Sequence, residues 1–326
     1  MLAVGENGAG KTNLLEALHV GTQGFSPRSR NDAQLVRFGA EAARIELTGE
    51  LGGRNVEIEL TLRPSEAKRA QLNGAPLRAA EQLRAEIATL VFTPDRLVVV
   101  KGGPAARRAY FDRALGRLFP ARAGLSAEYG VAVAQRNAAL RRVTFGASSR
   151  DAVDPWTQRV AELGGVLVAA RHEVIAVLAP PFAERAAELG LAEGGLLYEA
   201  EPPSAEALEA RLEEDLHRGT TGLGPHLDEV GIVAGGRDLR RYGSQGEQRL
   251  TVLSLLLAEA ELLTDRGPAA PLLLLDDVLS ELDERRRRSL AERLSGRGQT
   301  LITATAASAL PFEPSQLVEV VPGSAR

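Results

Sequence analysis

Apolar and polar residues follow two different periods along the chain, and the period switches twice. Across 42–62 it is two: Val56, Ile58, Leu60 and Leu62 alternate with Glu57, Glu59 and Thr61, the pattern of a half-buried strand. Gly52-Gly53 and Asn73-Gly74 are hairpin turn signals, so 40–77 is expected to be a small antiparallel layer. Ahead of it, Leu2 to Val4 reads as the end of a strand, and Lys11 to about Val20 as a helix. Ala88 to Phe92 reads as a short buried strand stopped near Pro94. From about 105 to 219 the period lengthens and Ala, Leu, Arg and Glu dominate. Helices are predicted over 105–118, 123–143, 156–178, 181–190 and 204–217. After Gly222 strands return at Glu229–Val233, Leu272–Leu275 and Thr300–Thr303, with helices at 246–264 and 284–295 between them. Strands alternating with helices predict a largely parallel sheet with helices on both faces. The fold class is α/β: one core built from 1–104 and 220–326, with a helical insertion over 105–219 and no internal repeat.

A length of 326 residues suits roughly two domains. Hydrophobic content of 44% with 25% charge excludes a mainly disordered chain. The absence of cysteine excludes a disulfide framework, a thiolate nucleophile and a Cys-based zinc site, and fits a reducing cytoplasm. A net charge of −4 argues against a globally basic nucleic-acid binder and leaves room for a local basic patch. The opening residues lack a basic start followed by an apolar stretch, so no leader is expected. The longest apolar run, Val160 to Leu178, is interrupted by Glu162, Arg171, His172 and Glu173, and reads as a buried helix with no membrane role.

Candidate chemistry begins at the first strand end. Gly5-Glu6-Asn7-Gly8-Ala9-Gly10-Lys11-Thr12 matches GxxxxGK[ST], with Asn13 following. Glycines free successive N–H groups to face phosphate oxygens, and the helix that follows presents its N-terminal dipole to the same anion. Lys11 would bridge the β- and γ-phosphates and Thr12 would bind Mg²⁺. A plain Gly-rich turn before a helix is the alternative. The apolar run Pro271 to Leu275 ends in Asp276 and Asp277. There Asp276 would hold Mg²⁺ and Asp277 would orient or deprotonate an attacking water, unless both are solvated acids at a strand end. Ser244 and Gly246 open the 246–264 helix as a second anion site. With Glu247 three residues on, Ser244 fits a capping box equally well.

In order, the chain carries the phosphate loop, Ser244-Gln245-Gly246-Glu247-Gln248, the strand ending in Asp276-Asp277, and Ser280-Glu281-Leu282-Asp283. This order resembles the ABC-type ATPase heads. The segments 92–97, 101–112, Gln135-Arg136-Asn137, Gly224-Pro225-His226-Leu227-Asp228 and 242–249 narrow the resemblance to the RecF family of DNA recombination and repair proteins, over nearly the whole chain. The resemblance implies an ABC-type head with a lever-arm-like helical insertion. It implies ATP and Mg²⁺ held between two subunits, with Lys11 of one facing Ser244 of the other, and contacts from Gly5 to Asn13, Ser244, Gly246 and Asp283. Thr12 and Asp276 would be metal ligands, and Lys11 and Asp277 catalytic. It further implies a weak, switch-like ATPase, sequence-nonspecific DNA binding at gaps or single/double-strand junctions, and the partners RecR and RecO, which help RecA replace single-strand-binding protein.

Departures from the family pattern are visible. A family member carries about thirty residues ahead of the loop, whereas only Met1 to Val4 precede it here. Ile302-Thr303-Ala304-Thr305 stands where ABC heads place a His, Asp95-Arg96 replaces a pair that more often contains Glu-Asp, and Asp277 is shorter than Glu. Slow hydrolysis is expected. Lys101, Arg107, Arg108, Arg113 and Arg117 form the densest basic stretch, with Arg136, Arg141 and Arg142 as a second cluster and Arg285 to Arg288 as a third. These are candidates for DNA phosphates or are solvated helix faces. Only Lys11, Lys68 and Lys101 are lysines among the 39 basic residues, and two of them lie in proposed functional segments. A transporter ATPase subunit is the main alternative; the 233 positions from Lys11 to Ser244 are long for one.

Overall fold

The computed structural model describes residues 1–29, 31–296 and 298–326. Its strands are β1 (Leu2–Val4), β2 (Ala43–Leu51), β3 (Arg54–Leu62), β4 (Arg69–Leu72), β5 (Ala75–Pro76), β6 (Thr89–Phe92), β7 (Gly195–Leu197), β8 (Gly231–Ala234), β9 (Arg237–Asp238), β10 (Leu272–Leu275), β11 (Thr300–Ala304), β12 (Leu317–Val321) and β13 (Ser324–Ala325). Its helices are α1 (Lys11–Gln23), α2 (Val98–Lys101), α3 (Pro104–Leu118), α4 (Leu125–Thr144), α5 (Asp154–Glu188), α6 (Ala205–Ala210), α7 (Leu212–Arg218), α8 (Leu239–Tyr242), α9 (Gln245–Arg266) and α10 (Glu284–Leu294).

The chain forms two compact units. The first takes 1–96, 188–190 and 252–326; the second takes 97–187 and 191–251. The second therefore holds nearly all of the expected 105–219 insertion and, in addition, 97–104 and 220–251. A three-stranded sheet explains the extension: β8 pairs antiparallel with β7 and with β9, tying 231–238 to a strand at 195–197.

In the first unit, β13-β12-β1-β11-β10-β6 form one sheet, parallel except for the terminal β12–β13 hairpin. Central strands covered on both sides read as continuous apolar runs, which is what 272–275 shows. The strands pack with α1 through Ala3, Leu15, Val91, Leu274 and Leu301, all buried. A second sheet, β2-β3-β4-β5, is antiparallel, as the two-residue period predicted. Ile58, Leu60 and Leu62 face a core shared with Val20 of α1. Gly21 lets that helix approach β2, since a Cβ there would sit 2.5 Å from Leu47 Cδ1.

In the second unit the principal surprise is α5. The sequence predicts separate helices over 156–178 and 181–190, yet one helix continues through Pro180 and Pro181 to Glu188. Each proline removes a backbone donor and crowds the preceding turn. The flanking Leu178 and Phe182 are both fully buried, so packing holds the helix across the defect. A segment including α5 is the one described helix long and apolar enough to cross a membrane. Its Val160, Leu167, Val174 and Leu178 are buried inside the protein. Strand β8 also starts two residues later than expected, because Asp228 and Glu229 are engaged by arginines of α3.

Candidate nucleotide-binding site

The phosphate loop runs from the end of β1 to the start of α1. Gly8 and Gly10 take φ of +83° and +107°, the left-handed region that favours glycine. Gly5 is required for a different reason: a Cβ there would lie 2.2 Å from the Val320 carbonyl oxygen of β12. Glu6, Asn7, Gly8 and Asn13 are exposed, and Ala9 is buried. Lys11 is almost buried; its ammonium donates to the carbonyls of Gly5 (2.7 Å) and Glu6 (2.9 Å), across its own loop.

Thr12 and Asp276, distant in sequence, meet here. Thr12 Oγ1 donates to Asp276, 3.0 Å from Oδ2 and 3.2 Å from Oδ1. Asp276 is anchored by its N–H to the Phe92 carbonyl of β6 at 2.9 Å. Thr303, fully buried on β11, completes the group. Its hydroxyl donates to Asp276 Oδ1 (2.8 Å) and accepts from the Asp277 N–H (2.9 Å). In the sequence Thr303 stands out only as part of a segment lacking a histidine. Its position on the predicted strand at 300–303, which pairs in parallel with β1 at Ala3, is the available signal.

Asp277 is exposed and has φ +50°, a conformation Asp tolerates better than most residues. Ser280 Oγ lies 3.0 Å from its Oδ2 and 2.9 Å from its carbonyl. Asp283 caps α10, accepting from the Arg286 backbone N–H at 2.9 Å.

The Ser244 segment lies in the second unit. The predicted capping box is formed: Glu247 N–H donates to Ser244 Oγ (3.2 Å), and Ser244 N–H donates to Glu247 Oε2 (2.7 Å). That backbone donation holds the Glu247 carboxyl below its ordinary range. Gly243 is needed because a Cβ there would meet the Leu239 carbonyl oxygen at 2.5 Å. Gln248 donates to that same carbonyl at 3.0 Å, fixing the turn from α8 into α9. Ser244, Gln245 and Gly246 are exposed, and the Ser244 hydroxyl proton is not used by the cap, so capping and anion binding are compatible.

Two of the DNA-contact candidates are corrected by burial. Arg136 is completely buried, donating to Thr157 (3.0 Å), Thr221 (3.0 Å) and Asp215 (2.6 Å). Arg107 is 3% exposed; it donates to the carbonyls of Val100 and Gly102 and pairs with Glu229. Neither can present its guanidinium to a phosphate backbone. Arg108 is half-buried against the Asp228 carbonyl (2.5 Å), while Lys101 and Arg113 are exposed.

The segment that carries the basic stretch also enters a polar network that joins two of the sequence motifs. Asp112 of α3 accepts from Arg171 Nε (2.8 Å) and NH2 (2.9 Å). Arg171 also donates to the Pro225 carbonyl (2.6 Å), and Tyr198 donates to Asp228 (2.6 Å). His226 Nε2 faces the Thr221 carbonyl at 2.9 Å, which can only accept, so Nε2 carries the proton and Nδ1 accepts from the Tyr129 hydroxyl at 2.7 Å. Burial pushes the His226 imidazolium down and the Tyr129 hydroxyl up from their ordinary values.

The family described as RecF/RecN/SMC N terminal domain matches residues 1–322. The chain is 36% identical to DNA replication and repair protein RecF of Heliobacterium modesticaldum, covering 96% of this chain and 88% of that one. It is also 36% identical to RecF of Kineococcus radiotolerans, covering 99% and 92%. Among solved structures, the recombination mediator protein RecF-ATP in the RecFOR pathway superposes with a TM-score of 0.87 at 27% identity, covering 100% of this chain and 90% of that one. An SMC head bound to the C-terminal winged-helix domain of ScpA, at 17% identity and a TM-score of 0.61, shares the fold. The α/β architecture is that of the RecF and SMC ATPase heads, and the chain belongs to the RecF family of DNA replication and repair proteins.

Proposed function

We propose that this chain is an ATP-dependent DNA-binding protein of recombinational repair and replication maintenance, in which ATP closes a homodimer and slow hydrolysis releases it. The observation that carries the reading is the contact of Thr12 with Asp276 at the mouth of the phosphate loop. A hydroxyl and a carboxylate are two hard oxygen donors, the sparse protein set Mg²⁺ takes when phosphates and water fill its other positions. Among the described residues no cluster of three or more His, Cys, Asp or Glu competes as a metal site. When bound, Mg²⁺ would neutralise charge on the β- and γ-phosphate oxygens.

The chain's own residues supply the rest. N–H groups of Gly8 to Thr12 and the α1 dipole hold the phosphates. Lys11 exchanges its carbonyl partners for phosphate oxygens, and Asn13 lies at the exposed rim. Asp277 orients the attacking water. Across the dimer, Ser244 and Gly246 of a second copy bind the γ-phosphate of the first, with Asp283 at the seam. Lys101, Arg108 and Arg113 remain as DNA-backbone candidates. RecR and RecO are the partners, and the compartment is the cytoplasm, in line with the RecFOR setting of the RecF-ATP structure. The transporter reading gains nothing from relatives named for DNA repair.

The test is sizing with and without ATP, together with DNA binding and phosphate release at several salt concentrations. ATP-dependent dimers whose DNA affinity falls steeply with salt are expected. A monomer in saturating ATP, or DNA binding indifferent to salt, would overturn the reading.

A further inference from the structure

Among the described residues, the most exposed large apolar side chain is neither in the phosphate loop nor on the basic helix. Phe38 is fully exposed. It stands on a tight turn closed by the Ala40 N–H donating to the Arg37 carbonyl at 2.9 Å, with Gly39 at φ +80°. The turn is anchored on both sides. Val36 is buried in the core with Val20, Ile58 and Leu60, and β2 begins at Ala43. The aromatic ring is thus displayed on a fixed support.

Its surroundings restrict what it can receive. Aromatic anchors of protein interfaces sit inside an apolar patch that excludes water. The other residues of 37–42 are Arg, Gly, Ala, Glu and Ala, and all are exposed. A lone ring in polar surroundings suits a planar partner that needs only one face, and a nucleobase is such a partner. Arg37 is exposed and makes no ion pair with a described residue, so its guanidinium is free for a phosphate beside that base.

We propose that Arg37 and Phe38 form a nucleobase-stacking tip, in which the Phe38 ring stacks on an unpaired DNA base and Arg37 contacts the adjoining phosphate. This rests on the DNA-binding reading above and gives it a site in the first unit.

The test uses the full chain in saturating ATP, with fluorescence anisotropy on a duplex carrying a single-stranded tail and on the matching blunt duplex. Phe38→Ala should weaken binding to the tailed duplex about tenfold and change the blunt duplex less than twofold. Phe38→Trp should retain tailed-duplex binding, and its emission should be quenched by the tail beyond any change seen with Trp156 alone. Arg37→Ala should lower the salt dependence on the tailed duplex by about one contact. The proposal is overturned if Phe38→Ala binds both DNAs like the parent, or loses both equally. It is also overturned if Phe38→Ala weakens ATP-dependent self-association instead, which would make the ring a protein contact. If the parent binds neither DNA in ATP, the DNA-binding reading itself fails; if the parent binds and Phe38→Ala does not differ, only the stacking tip fails.

Discussion

Thr303 donates its hydroxyl proton to Asp276 Oδ1 at 2.8 Å while accepting the Asp277 N–H at 2.9 Å. One buried hydroxyl therefore holds the Asp276 carboxylate and the Asp277 backbone at the end of β10. Thr303→Val keeps the shape and removes both bonds. It should cost about 1–3 kcal/mol of stability, since the Asp277 N–H loses its acceptor. It should also raise the Mg²⁺ concentration needed for nucleotide binding severalfold, with Thr303→Ser restoring both. Urea melts and a Mg²⁺ titration of nucleotide affinity check this.

Lys11→Met should abolish nucleotide binding without loosening the fold, because the carbonyls of Gly5 and Glu6 that the ammonium contacts can turn to water. Ser244→Arg should leave nucleotide binding intact and block dimerisation. Calorimetry and sizing in ATP separate the two. Dimers persisting in the Ser244 variant would rule out a nucleotide shared between copies.

Burial separates the arginines into two experimental classes. Arg136→Met leaves Asp215 charged and unpaired in the interior, and should cost about 3–5 kcal/mol. Lys101→Glu and Arg113→Glu, both exposed, should leave the melting midpoint within a few degrees and weaken DNA binding, most at low salt. Chemical denaturation and anisotropy on the same preparations check both.

Gly224→Ala should be strongly destabilising. Its φ is +127°, and an added Cβ would lie 2.5 Å from the Tyr129 hydroxyl. Tyr129→Phe in the same chain should recover only part of the loss, because the backbone strain remains. Thermal melts of the single and double variants provide the comparison.

His226 predicts a pH effect. Its folded pKa lies below the ordinary 6.5, chiefly through burial. A depressed pKa means the unfolded chain binds the proton more readily. The contribution to stability is complete above 6.5 and is lost as pH falls from there through the lower folded value. Stability measured from pH 8 down to pH 5 should decline, and His226→Gln should flatten that part of the profile.

Local order was the legible part of the sequence. The phosphate loop, the strand ending in Asp276-Asp277 and the β2–β3 hairpin are written in contiguous residues whose spacing has a direct geometric meaning. The capping box at Ser244 was readable for the same reason. What was not readable depended on distant partners. Arg136 is a core residue only because Asp215 and Thr221 fold back onto it, and one strand of sequence cannot distinguish such an arginine from a solvated one. Thr303 is invisible as a site residue until the sheet places β11 beside β10. The helix through Pro180-Pro181 departs from a sound local rule because the buried Leu178 and Phe182 outweigh the lost backbone bond.

The close approach of Gly5 to the Val320 carbonyl has a consequence for synthesis. The floor of the phosphate loop is a backbone group from the far end of the sequence, and β1 is flanked by β11 and β12. A ribosome-bound chain that has made only the GxxxxGKT segment has no walls to shape it. Nucleotide capture thus waits for β11 and β12 to join the sheet, and ATP affinity in effect reports that they have done so. A tag fused close behind β13 should be felt first in nucleotide affinity.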